Sequence, residues 1–114
     1  MRRLVRFSIA ARRELDAYAD YIARDSADAA RRFVQSARLT ADDLTVFAYA
    51  GRRVWFRRLK VLGIRKFCIT GFPNHMLIYR VSENTIDVCC VTHGARNLAR
   101  VLNELWKDSD RELF

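Results

Sequence analysis

The stretch HMLIYRVSENTIDVCCVTHG, residues 75–94, decides how this chain is read. It holds two apolar runs, HMLIYRV and TIDVCCV, joined by the short polar link SEN. Both are rich in β-branched, aromatic and thiol side chains, so each reads as a strand and the link as a hairpin turn. Apolar residues fill them almost throughout, which predicts strands buried on much of both faces. His93 and Gly94 close the second run. The glycine lets the backbone turn sharply into whatever follows.

Working outward, IRKFCIT (64–70) is a third strand-like run, separated from HMLIYRV by the turn-rich GFPN. Three consecutive strands with such links predict an antiparallel meander. Downstream, ARNLARVLNELW (95–106) places Leu98, Val101, Leu102 and Leu105 at i, i+3, i+4 and i+7, the spacing of an amphipathic helix. The first half of the chain has a different period. RLVRF (3–7) suits a short strand. Ser8 then caps a helix with Ala11, Leu15, Tyr18 and Ile22 on one stripe, and that helix stops near Asp25 because Ser26 is a second N-cap. The next helix carries Ala30, Phe33, Val34, Ala37, Ala41 and Leu44 on its stripe, with Arg31, Arg32, Arg38 and Asp42 largely off it. So short a link forces the two helices into an antiparallel αα-hairpin. The order β-α-α-β-β-β-α predicts an α+β domain: a helical hairpin packed on a small, mainly antiparallel sheet, with a C-terminal helix. RLVRF is expected to join the sheet beside a meander strand. One domain covers 1–114, with an acidic tail over about 107–114.

The charge points to an anionic partner, nucleic acid or an acidic protein surface. The net charge is +8 and comes mostly from Arg, whose planar fork pairs bidentately with carboxylate or phosphate. The excess is uneven: Arg52 to Lys66 contains seven basic residues and no acid. No apolar run approaches the roughly 20 residues of a membrane span, and the basic start MRRLVRFSIAARREL has too short an apolar core for a signal peptide. A cytoplasmic protein is expected. Cys68, Cys89 and Cys90 all lie in strand-like runs, are odd in number and lack ligand spacing. They read as reduced, buried thiols with no metal.

Taken together, AARRELDAYADYIA (10–23), GIRKF (63–67), LIYRV (77–81), a further strand and HGARNL (93–98) resemble the ParE/RelE superfamily over residues 2 to about 106. These are toxins of bacterial type II toxin–antitoxin modules, often labelled plasmid stabilisation proteins. The family fold is the β-α-α-β-β-β-α order read above. The resemblance implies no cofactor and a cognate antitoxin whose acidic, amphipathic C-terminal segment wraps the toxin in a hetero-oligomer. It also offers two activities. RelE-like members cut mRNA on the ribosome without a metal, which needs a base, cations for the developing phosphorane charge and a proton donor. Laid on this chain, Arg65 and Lys66 stand for the RelE basic pair and Arg96 for the Arg after the turn. Met76 occupies the third-strand Arg position, and the Tyr position falls near Leu102, so two roles are empty. ParE-like members lack that set and inhibit DNA gyrase by binding. The ParE-like reading is preferred. A ribosome-dependent endonuclease using Arg65, Lys66, His93 and Arg96 is its rival. A non-toxic relative that only binds antitoxin or nucleic acid is a third.

The residues singled out for target or antitoxin binding are Arg65, Arg80, Arg96, Arg57, Arg58 and Trp106. Each has a plainer reading. His93 is an acid or base, since its ordinary pKa is near ~6.5, or a strand-end His that orients the turn; the second is favoured. Arg96, in the first turn of the last helix, meets an anion there or pairs with Asp87 or Glu83. Arg80 is expected to share a concavity with Arg65, reaching solvent or a partner's acid, because it cannot be buried unpaired. Tyr79, on the other side of the strand, is assigned to the core. Trp55 and Phe56 interleave with arginines as in a nucleic-acid grip or simply cover an edge. Tyr18 belongs to the core stripe, and Trp106 is the better interface candidate.

Overall fold

A computed structural model describes residues 2–54, 63–94 and 100. Its elements run β1 (Leu4–Phe7), α1 (Ile9–Ala23), α2 (Ala27–Leu44), β2 (Arg52–Arg53), β3 (Ile64–Ile69), β4 (Phe72–Val81) and β5 (Thr85–His93). The expected C-terminal helix lies outside the described residues, and so do Trp55, Phe56, Arg57, Arg58, Arg96 and Trp106. No helix among the described residues is long and apolar enough to cross a membrane.

Both helices start where a serine caps them. Ser8 accepts from Ala11 N at 3.0 Å, and its hydroxyl donates to Cys89 O at 2.8 Å, which ties the start of α1 to β5. Ser26 accepts from Ala29 N at 3.1 Å. Each cap satisfies an amide that the helix cannot. The five strands lie in the order β1-β5-β4-β3-β2. The meander β3-β4-β5 is antiparallel, and β1 joins it beside β5 in parallel. The two helices pack as a hairpin on one face of this sheet. Phe33, Ala37, Ala41 and Leu44 from α2, Ala11 and Leu15 from α1, and Leu77, Tyr79, Ile86, Val88 and Val91 from the strands form one buried core.

Three details depart from the sequence reading. The chain turns already at Thr70–Gly71, with Gly71 at φ 83°, so Phe72, Pro73 and Asn74 belong to β4 rather than to a loop. Arg52 and Arg53 form a short additional edge strand against Lys66 and Arg65. Cys68 is exposed, not buried: it stands on β3 near the sheet's margin, opposite Met76, while Cys89 and Cys90 are buried as expected.

A bulge in β5 settles which side chains face the helices. Ile78 pairs with Cys90 and Tyr79 with Val88, which leaves Cys89 as the extra residue. Val88 and Val91 thereby both reach the helix-covered face although they are three apart. Cross-strand partners share a face, so Arg65, Tyr79, Leu77, Val91, His75 and His93 lie on the helix side. Lys66, Cys68, Met76, Ile78, Arg80, Asp87, Cys90 and Thr92 lie on the other.

Candidate functional site: a histidine cleft and an arginine ladder on opposite faces

At the open end of the β4–β5 hairpin, His75 and His93 are direct cross-strand partners. Their ring centroids are 4.7 Å apart. Tyr18 of α1 approaches His75 edge-on at 5.1 Å and His93 at 6.4 Å, and Phe33 of α2 packs against His75 at 4.8 Å. Helix stripe and strand ends thus meet in an aromatic cluster. Ala17, Tyr18, Tyr21, Ile22, His75 and His93 line an open cleft of about 490 Å³ there. Burial first, and the neighbouring His93 second, hold His75 below its ordinary 6.5, so it is neutral at physiological pH. Among the described residues no group of three or more His, Cys, Asp or Glu could hold a metal ion. The cleft's chemistry is that of an apolar receptor with two imidazole edges. His75 was missed in the sequence reading because the pairing that brings it to His93 is non-local.

The opposite face carries a row of charge across three strands. Arg6 of β1, Asp87 of β5 and Arg80 of β4 stand side by side in register. Asp87 is fully buried and accepts from Arg6 Nε at 2.9 Å and Arg6 Nη2 at 3.1 Å. Ser82 Oγ donates to it at 3.2 Å, and Arg80 lies at 3.6 Å. Burial alone would raise the Asp87 pKa, but hydrogen bonds from Arg6, Thr85 and Ser82, with the charge of Arg6, hold it below its ordinary value. Arg80 therefore finds its acid within the chain. Among the described residues Asp87 is engaged by Arg6 and Arg80; its expected pairing with Arg96 falls on a residue outside them. Burial pushes the nearby Cys89 thiol up to about 11, so it stays protonated and unreactive.

Arg65 is on the other face from Arg80, contrary to expectation, because the register sets it opposite Tyr79. Its guanidinium donates to Gly51 O at 2.8 Å and Tyr49 O at 3.4 Å, bracing the segment between α2 and β2. Lys66, the next residue, points away from Arg65 by strand alternation. It lines an open depression of about 350 Å³ with Ala50, Arg52, Phe67, Cys68 and Met76. Thr92, across from Met76, is fully buried, and its hydroxyl is without a partner among the described residues. Of the four residues of the endonuclease reading, Arg65 and His93 are on the helix face and Lys66 is on the other. Arg96 lies outside the described residues.

A family model described as the ParE toxin of the type II toxin–antitoxin system parDE matches residues 5–98. No curated protein matches. Among solved structures, one described as a chromosomal ParDE TA system from P. aeruginosa is similar with a TM-score of 0.63 and 20% identity. The match covers 81% of this chain and 96% of that one. At that identity the likeness speaks to the fold.

Proposed function

Because this chain belongs to the ParE toxin family of type II toxin–antitoxin systems, we propose that it acts by binding, in the cytoplasm, as an inhibitor of DNA gyrase. A cognate antitoxin neutralises it. One observation carries the choice of binding over RNA cleavage: the candidate catalytic residues are divided between the two faces of the sheet. Arg65 and His93 cannot act on the same phosphate as Lys66, because the backbone layer of the sheet lies between them. Arg65 is in addition engaged with main-chain carbonyls. Hydroxyl attack on a phosphodiester needs base, acid and cation within hydrogen-bond reach of one reacting centre. The depression around Lys66 offers cations from Arg52 and Lys66 but walls of Met76, Phe67 and Cys68.

The antitoxin reading follows from charge. An acidic, amphipathic segment suits a chain of net charge +8 whose cations include Arg65 and Arg80 on two faces, with Arg57, Arg58 and Arg96 elsewhere in the sequence. The test uses purified chain in two assays: supercoiling by gyrase with and without ATP turnover, and mRNA integrity in translating ribosomes. The expected result is inhibited supercoiling with intact mRNA, unchanged by His93→Ala. Cleaved mRNA that disappears in His93→Ala overturns the proposal in favour of the endonuclease. Activity in neither assay leaves only the non-toxic binding relative.

A further inference from the structure

Tyr49, just past α2, has two guanidiniums over one ring. Arg3 Cζ lies 5.8 Å from the ring centroid and Arg65 Cζ 5.0 Å. Both are held by main-chain carbonyls: Arg3 Nε donates to Ser82 O at 2.8 Å and Arg65 to Gly51 O at 2.8 Å. Among the described residues neither has a carboxylate partner. Like charges gathered on one ring repel, and the ring's quadrupole offsets that only in part. An anion beside them would complete the arrangement. Arg53, opposite Arg65 on the edge strand, extends the positive surface. The aromatic surface is open as well. Tyr49 is 63% exposed, and Phe47, two residues earlier, is 67% exposed.

We propose that the surface formed by Phe47, Tyr49, Arg3 and Arg65 binds single-stranded nucleic acid. Its two cations are fixed in place beside one exposed ring, and a second exposed ring stands two residues away in the chain, which suits a ligand that carries both phosphates and unstacked bases. Guanidinium planes add stacking of their own. An acidic peptide would neutralise the two arginines but leaves the exposed rings unexplained by charge. The proposal does not rest on gyrase as target: a failed supercoiling assay leaves it standing, and its own failure leaves the gyrase reading intact.

The test is fluorescence anisotropy of a labelled oligothymidylate with the full chain, across a salt series. Tyr49→Ala weakens binding by at least about fivefold, as expected for one lost stacking platform, whereas Tyr49→Phe retains it. Phe47→Ser, at an equally exposed position, weakens it likewise. Arg3→Gln lowers the slope of log K against log salt by about 0.7, one single-strand phosphate contact. Arg32→Gln is the control: it removes the same charge from α2, about 20 Å along the helix from Thr45, and leaves affinity within twofold. If Arg32→Gln weakens binding as much as Arg3→Gln, net charge alone is responsible and the site is refuted. Displacement of the oligonucleotide by polyglutamate at equal charge concentration refutes it too, in favour of an acidic polypeptide.

Discussion

Tyr79 carries its hydroxyl into the core, where it accepts from Gly51 N at 2.9 Å and donates to Ala48 O at 2.8 Å. Tyr79→Phe leaves a buried amide and a carbonyl unpaired. A loss of about 1–3 kcal/mol is expected, read as a lower urea midpoint with unchanged slope. Gly51 is needed for the same contact. A Cβ there would lie 2.7 Å from Lys66 O and against the Tyr79 ring and hydroxyl. Gly51→Ala is expected to cost about 1–3 kcal/mol through overpacking, on the same measurement. Asp87 is the third case. Its carboxylate is fully buried while the Arg6 side chain is half exposed, so the pair is partly screened by solvent. Asp87→Asn is expected to cost about 1–3 kcal/mol. Since Asp87 is held below its ordinary 3.8, its contribution is complete above that pH. It is lost as pH falls through the lower folded value. The stability gap between wild type and Asp87→Asn should thus be constant near neutrality and close under strong acid. A gap that widens with acid would mean the carboxyl is not held ionised.

At the level of elements, the β4–β5 hairpin joins the histidine cleft to the helical hairpin, and its response to pH is predictable. His75 has a folded pKa below the 6.5 of the free side chain, so the unfolded chain takes up the proton first. Stability is unaffected above that value and falls as pH drops below it. Melting temperature should decline between about pH 7 and pH 5.5, and His75→Phe should flatten the decline whatever its own melting temperature. The cleft also marks the limit of what was legible beforehand. Caps at Ser8 and Ser26, helix stripes and the meander depend on neighbours a few residues apart, and they were readable. His75 opposite His93, Arg6 opposite Asp87 and Arg3 over Tyr49 join residues 18 to 81 apart. No local period encodes such pairings. The placement of Arg65 and Arg80 on one concavity failed for a related reason. Face depends on register, and a one-residue offset between neighbouring strands reverses it. The apolar run around Cys68 predicts a buried thiol, but its side of β3 lies near the sheet's margin and the thiol is exposed.

Across the whole molecule, the sheet separates two positively charged surfaces. Arg3, Arg53 and Arg65 lie toward the helix side, and Arg6, Arg52, Lys66 and Arg80 toward the other. A partner that wraps the toxin meets cations on both. The proposed antitoxin complex should consequently weaken with salt more than a one-sided contact would, since exposed pairs lose most of their attraction as the Debye length shrinks from about 10 Å at 0.1 M to about 3 Å at 1 M. Calorimetric titration of the toxin with its antitoxin segment over that range should show a steady loss of affinity. Arg65→Gln and Arg80→Gln should each reduce the slope. The two should add, because residues on opposite faces share no partner. Arg80→Glu is the poorer variant, since a second carboxylate facing Asp87 would lower stability as well as binding. An affinity independent of salt, with both glutamine variants at wild-type strength, would place recognition on apolar surface instead. The cleft around Tyr18, Tyr21, His75 and His93 would then be the first place to mutate.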